Sequence, residues 1–182
     1  GKDSIEYGKT LSALGAAWGL DFTWLGNVST DWTLATNWDQ GSGYPGSTAG
    51  QQDTAIFTSG QTVIIATYGY NDTRPNIQSD ADSLSFYGGQ VGAITVNAGI
   101  FSPTTVNLVA TGTVTCDGTI ALGGRTLTAP SLTGAGEVTV AAGGIVCSGT
   151  IDVATLTATD AAGIQGGGNF TPAVFTAGTS TV

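Results

Sequence analysis

The chain has 182 residues, with four basic and 13 acidic side chains, a net charge of −9, no histidine and 29 glycines. So few cations exclude a basic surface for nucleic acid or for an anionic membrane. The absence of histidine excludes His-based catalytic triads and ordinary zinc sites, and no cofactor motif replaces them. No run of 18 apolar residues occurs, so no membrane insertion is expected.

Residues 1–20 are predicted to form an N-terminal attachment segment. Asp3 followed by Glu6 resembles a helix capping box, whereas Gly8 and Gly15 weaken a helix and equally favour an extended arm that a neighbouring molecule orders. In either form, the segment has no core of its own. The residues expected to make the attachment are its larger apolar ones: Ile5, Tyr7, Leu11, Leu14 and Trp18.

Residues 21–82 are predicted to form a Trp-rich module that caps the array described below. Its rings are too unevenly spaced for a nucleotide-stacking groove, and no cations accompany them. A ring-stacking sugar site, with a glycan as ligand, is the alternative to a closed plug over an open strand edge. The expected core of the cap comprises Trp24, Trp32, Trp38 and Phe57.

This module resembles one found at the start of β-solenoid regions, both in autotransporter-associated bacterial surface repeat proteins and in short structural proteins of tailed phages. The resemblance covers about residues 23–100 and implies architecture more than function. The insertion at 67–81 is longer than the pattern, and no autotransporter membrane barrel follows, which favours the phage setting. The motif residues are Trp24, Gly26, Asp31, Trp32, Asn37, Trp38, Pro45, Asp53, Ala55 and Phe57.

Residues 83–182 are predicted to form the solenoid. Residues 114–120 return at 145–151, residues 126–129 at 155–158 and residues 134–139 at 166–171, each in the same order. Such a repeat indicates a stacked array. Short alternating runs at 84–86, 93–96, 105–109, 119–122, 126–128, 137–140, 145–147 and 150–153 indicate strands.

Strand starts only a few positions apart favour an all-β solenoid of short strands, with a β-sandwich as the alternative. The tail from 171 to 182, with Pro172, Val174 and Phe175, is expected to cap the far end or to add a strand to a neighbouring subunit. The repeat that leads from Cys116 to Cys147 is predicted to span two coils, which places their Cα atoms about 9.6 Å apart and leaves both as free, buried thiols. If it were a single coil, the two cysteines would stack and could form a disulfide.

Acidic residues are the remaining candidates for chemistry. Asp72, Asp80 and Asp82 are weak calcium candidates, although their spacing matches no known calcium loop and a solvated loop is the competing interpretation. The acids of the repeat do not recur in register, because Asp117 aligns with Ser148. A paired-acid cleft for polysaccharide cleavage is therefore not expected.

These observations predict a non-enzymatic structural protein that assembles in many copies on a particle surface, with copies of itself and other particle proteins as partners. Given the resemblance, a phage virion is the expected location, as a capsid decoration or tail component. The alternative is a bacterial extracellular surface or filament protein with an adhesive or glycan-binding role.

Overall fold

A computed structural model describes residues 19–26, 29–160 and 162–177, which form one all-β solenoid of stacked parallel strands. Every pairing between its named strands is parallel, which confirms the solenoid and rules out the β-sandwich. The attachment residues Ile5, Tyr7, Leu11, Leu14 and Trp18 lie outside the described residues. Within the described ranges, no helix has the length and hydrophobicity that crossing a membrane takes.

The strands, numbered β1–β17 in chain order, form three faces. Face A holds β1 (Asp21–Thr23), β2 (Thr54–Phe57), β4 (Asn76–Ser79), β7 (Ile94–Val96), β10 (Val114–Cys116) and the first parts of β13 (Leu132–Val140) and β15 (Ile151–Ala158). Face B holds β3 (Thr62–Ile65), β5 (Ser83–Phe86), β8 (Ile100–Pro103), β11 (Thr119–Ala121), the second parts of β13 and β15, and β17 (Val174–Ala177). Face C holds β6 (Gly89–Val91), β9 (Leu108–Ala110), β12 (Thr126–Ala129), β14 (Gly144–Cys147) and β16 (Gly163–Gly166).

The pairing along face A defines the length of one coil. Val114 pairs with Leu132 one coil later, and Leu132 pairs with Ile151 after one further coil. The sequence repeat instead matches Val114 with Ile145, which lies past the first return and short of the second. The prediction that the repeat spans two coils is therefore wrong. One repeat carries the chain through more than one coil and onto a different face, from β10 on face A to β14 on face C.

The interior is a narrow column of aliphatic side chains, because alternate residues of each short strand point inward. Along face B the buried inward positions pass from Phe101 through Ile120 and Val138 to Leu156, all fully buried. The predicted strand at 105–109 begins only at Leu108, since residues 105–107 make the corner between faces B and C.

Strands on both sides of the predicted boundary between residues 82 and 83 belong to one continuous stack. β3, before the boundary, pairs in full register with β5, after it, and β4 pairs with β7. The Trp-rich segment before Thr54 is thus followed directly by solenoid strands, with no break in pairing.

Ser79 is a polar residue inside this apolar column. It points inward between Phe57 and Val96, its side chain is 1% exposed, and its hydroxyl has no hydrogen-bond partner among the described residues. An unpaired buried hydroxyl carries a desolvation cost of about 1–3 kcal/mol.

We therefore expect Ser79→Ala to stabilise the fold by about 1 kcal/mol, because it removes that cost and leaves a void of only one oxygen atom. Guanidinium unfolding should show a higher midpoint at an unchanged slope. The outward, partly exposed Ser85 on β5 provides the matched control, since Ser85→Ala removes a hydroxyl that is not buried in the core and should leave the midpoint unchanged. A lower midpoint for Ser79→Ala would contradict the prediction.

Cys116 and Cys147 are both free and buried, as predicted. They lie on different faces, on β10 and β14, rather than stacked over one another. Burial raises the pKa of Cys116 to about 12 and that of Cys147 to about 11, since the thiolate would lose its hydration. The stability that these neutral thiols contribute is therefore complete below their usual pKa and is lost as the pH rises toward the raised pKa values.

We expect both thiols to be inert toward Ellman's reagent in the native chain at about pH 8, because the reactive thiolate is suppressed and shielded. In concentrated guanidinium chloride, both should react completely. Rapid reaction of one native thiol would show that the coil around it opens.

Candidate assembly surfaces at the two ends of the solenoid

The aromatic cap is the cluster formed by Trp24, Trp32, Trp38 and Phe57, and it lies at the N-terminal end of the stack. All four side chains are buried, and Trp24, the most exposed of them, is only 4% exposed. Trp38 is central: its ring centroid is 4.9 Å from that of Trp24 and 4.8 Å from that of Trp32, both edge to face. Such geometry places the positive edge of one ring on the negative face of the next.

Two indole hydrogen bonds fix this packing. Trp32 Nε1 donates to the carbonyl of Pro45 at 3.0 Å, and Trp38 Nε1 donates to the carbonyl of Trp32 at 2.8 Å. Because both indole N–H groups are buried, each needs such a partner. The hydrogen bond from Trp32 therefore fixes the position of the loop that carries Pro45.

Two buried polar side chains of the motif hold the backbone around the rings. Asp53, 1% exposed, accepts hydrogen bonds from the backbone N–H groups of Leu20 and Gly46, both at 2.9 Å. Asn37 accepts from Ser29 N and donates to the carbonyl of Asp31. These side chains therefore replace regular secondary structure in much of the segment between β1 and β2, which includes the helical turn Ala35–Asn37.

Backbone pairing joins the cap to the first coil. β1 extends face A beyond β2, and Trp24 N donates to the carbonyl of Ile56 at 2.9 Å. At the end of face B, Ala66 N donates to the carbonyl of Thr30 at 3.0 Å. The cap thus covers the start of the stack with both rings and hydrogen bonds.

No family model, curated protein or solved structure matched the chain.

Tyr68 extends the aromatic cap into the insertion. Its ring lies 5.0 Å from that of Trp32 and 4.9 Å from that of Phe86, and its hydroxyl donates to the carbonyl of Gln90 at 2.6 Å. Burial raises its pKa well above the usual value. The sequence does not predict the burial of Tyr68, because the Asn, Asp and Pro residues that follow it are typical of a solvated loop.

The calcium candidates do not form a site in the described structure. Asp72 lies in the loop between β3 and β4, whereas Asp80 and Asp82 lie at the corner between β4 and β5. Asp82 accepts a hydrogen bond from the backbone N–H of Gly60 at 3.1 Å. Within residues 19–26, 29–160 and 162–177, no three His, Cys, Asp or Glu side chains are grouped to hold a metal ion.

Polar side chains at the corners tie successive coils together. Asn76 accepts from Ala93 N at 2.8 Å, and Asp117 accepts from Ala135 N at 2.8 Å. Asn107 accepts a hydrogen bond from the backbone N–H of Thr126 in the next coil at 3.0 Å. Asp117, one of the acids weighed for chemistry, therefore satisfies a corner amide that no strand pairing reaches.

Two of the shallow depressions on the described part of the surface have volumes of about 340 and 490 Å³. The first lies beside Trp24 and β3, and the second crosses face C near Thr128, Val146 and Gln165. Among their described lining residues there is no acidic side chain. Neither depression therefore offers the paired carboxylates that polysaccharide cleavage needs.

The last coil that the structure describes comprises residues 163–177. β16 pairs with β14 alone and β17 pairs with β15 alone among the described strands. Phe170 and Phe175 meet edge to face at 5.3 Å over the last interior positions, and both remain only partly buried. Of the predicted tail from 171 to 182, the structure describes residues 171–177; they contain β17, which pairs with β15 of its own chain.

Proposed function

We propose that this chain is a non-enzymatic structural protein that assembles in many copies on a particle surface. The carrying observation is a continuous parallel stack whose N-terminal end is sealed by the aromatic cap. The six rungs of face A from β2 to β15 are separated by five spacings of about 4.8 Å, so this part of the stack is roughly 24 Å long. In this role, the rod is a stiff spacer.

The hydrogen bonds of the aspartate side chains and the low charged fraction of the chain support this proposal. Asp53, Asp82 and Asp117 each bond backbone amides of a neighbouring segment, and these bonds hold the stack in register. The charged fraction of 9% is low for a solvated domain, which fits a surface that contacts other protein copies. From the resemblance of its cap motif, we propose a tailed-phage virion as the particle.

A bacterial surface or filament protein is the alternative from the same resemblance. A sugar site built on the cap rings no longer supports it, because Trp24, Trp32 and Trp38 are 4%, 0% and 1% exposed. Ring stacking on a glycan requires an accessible aromatic face. We therefore prefer the particle role.

An antibody raised against the chain tests the proposal on fractions of the source culture. We expect the chain in purified particles, in a fixed molar ratio of many copies to the principal shell protein. Recovery in the cell envelope would favour the surface role instead, and recovery only as free protein would overturn both. Polysaccharide turnover that is lost in Asp152→Asn would overturn the non-enzymatic assignment.

A further inference from the structure

Face C starts one coil later than faces A and B. The chain passes from β3 to β4 through ten residues, 66–75, and from β8 to β10 through ten residues, 104–113, but only the second passage contains a strand, β9. The first passage includes Gly69, Asn71, Asp72 and Pro75, which are residue types that strands disfavour. We call residues 66–75 the edge cover, because they run beside β6, the first strand of face C.

Backbone groups on the free side of β6 are bonded by the edge cover. Gly89 N donates to a carbonyl next to β9. On the opposite side, the carbonyl of Gln90 accepts a hydrogen bond from the Tyr68 hydroxyl at 2.6 Å. Just beyond β6, Gly92 N donates to the carbonyl of Pro75 at 2.8 Å. The edge cover thus bonds groups that an adjacent strand would otherwise bond.

Two side chains of the edge cover also obstruct the approach of another strand. An added Cβ on Gly89 would lie only 3.4 Å from the Tyr68 ring, so this ring packs against the start of β6. Arg74 Nε donates to Oε1 of Gln90 at 2.7 Å, which places a positive charge at the same edge. Charges, prolines and covering loops are the devices by which proteins protect strand edges. An incoming strand would have to displace the ring and desolvate the guanidinium group.

The edge cover is also held from the capped side of the molecule. Asn71 N donates to the carbonyl of Gly46 at 2.8 Å, and Gly50 N donates to the Thr73 hydroxyl at 3.1 Å. Gly46 and Gly50 both belong to the segment between β1 and β2, which carries the tryptophans of the aromatic cap. The position of the cover therefore does not depend on the β6 edge alone.

We propose that the edge cover prevents a strand of a second copy from adding to β6. With the cover open, the β6 edges of two copies present the same groups, so they pair antiparallel about a two-fold axis. This role goes beyond the proposed function, and it implies that copies on a particle contact one another through surfaces other than the β6 edge. Its test uses the purified chain alone, so it can fail without affecting the assembly role, and the reverse also holds.

Sedimentation velocity of an opened variant tests the proposal. Tyr68→Leu combined with Arg74→Gln removes the ring, the hydroxyl and the guanidinium group that cover β6. Leucine still packs against the rings of Trp32 and Phe86, so the fold should be retained, which near-UV circular dichroism checks. We expect this variant to dimerise at least tenfold more strongly than the unaltered chain at concentrations up to about 100 μM, because the carbonyl of Gln90 regains a partner on pairing.

Phe86→Leu combined with Arg125→Gln is the matched control. It makes the same two kinds of change, but Phe86 is a fully buried ring, and Arg125 lies at the corner between β11 and β12, where it bonds the carbonyl of Thr104. This variant leaves the hydrogen bonds of the edge cover intact and should sediment like the unaltered chain. Equal association of the two double variants would overturn the proposal, because it would follow from lost stability rather than from an open edge.

Two further measurements locate the contact. In the associated variant, the backbone amide of Gln90 should gain protection from hydrogen exchange, whereas the amides of β16 should not. Adding Gln90→Lys to the opened variant should restore the sedimentation of the unaltered chain, because two ammonium groups would then meet at the paired edge. An opened variant that sediments like the unaltered chain, that associates without protection of Gln90, or that is insensitive to Gln90→Lys would show that the edge cover does not block strand addition.

Discussion

Replacing Trp32 by alanine is expected to destabilise the chain by about 4–5 kcal/mol. The side chain is fully buried, and its ring contacts Trp38, Tyr68 and Phe86. Loss of a buried indole costs about 3–5 kcal/mol, and the carbonyl of Pro45 also loses its donor. Guanidinium unfolding followed by near-UV circular dichroism should show a much lower midpoint.

Trp32→Phe separates the two contributions. It keeps a ring in contact with Trp38 but deletes the N–H, so it should cost about 1–2 kcal/mol. Leu25→Ala is the control for the same segment: its side chain is 43% exposed, and the change should stay within about 0.5 kcal/mol. A Trp32→Ala variant as stable as Leu25→Ala would refute the cap as a stabilising core.

Gly99→Ala is expected to have the second large effect. Gly99 occupies the corner between β7 and β8 at φ +62°, and an added Cβ would overlap the carbonyl oxygen of Ala81 in the preceding coil. The coils would have to separate at this corner. We expect a loss of about 3 kcal/mol or more in unfolding free energy.

Gly123 supplies the matched control for that experiment. It has nearly the same backbone conformation, φ +55°, at the corner between β11 and β12, but no atom lies within 4 Å of its added Cβ. Gly123→Ala therefore measures the conformational cost alone, about 1–2 kcal/mol. Equal losses for the two variants would show that the close approach between coils is not what constrains Gly99.

The fold class could be predicted from local pattern, because inward and outward positions alternate within each short strand. Thr126-Leu127-Thr128 is one such run, and it lies in β12 as expected. The coil length could not be predicted, because all three faces share this alternation. A segment of face A, such as 114–116, therefore resembles one of face C, such as 145–147, and the apparent repeat follows from that likeness.

The burial of the three tryptophans of the cap could be predicted from the sequence, whereas the extension of the cap to Tyr68 could not. Trp24, Trp32 and Trp38 have large apolar rings, so their burial together follows from the hydrophobic effect. Tyr68 contacts Trp32 and Phe86 only in the folded chain, and the residues next to it in sequence do not predict these contacts. The hydrogen bond that Asp117 accepts from Ala135 in the next coil forms only because the corners of successive coils stack, so the spacing of acids in the sequence does not predict it.

The position of the aromatic cap also has a consequence for biosynthesis. The cap residues leave the ribosome before any residue of the later coils, and domains generally fold from the N-terminal side during synthesis. Each newly emerging coil then meets a finished template strand, so it can add in register as soon as it is free. We therefore expect the coils to form in order, from the aromatic cap toward the C-terminal side of the solenoid.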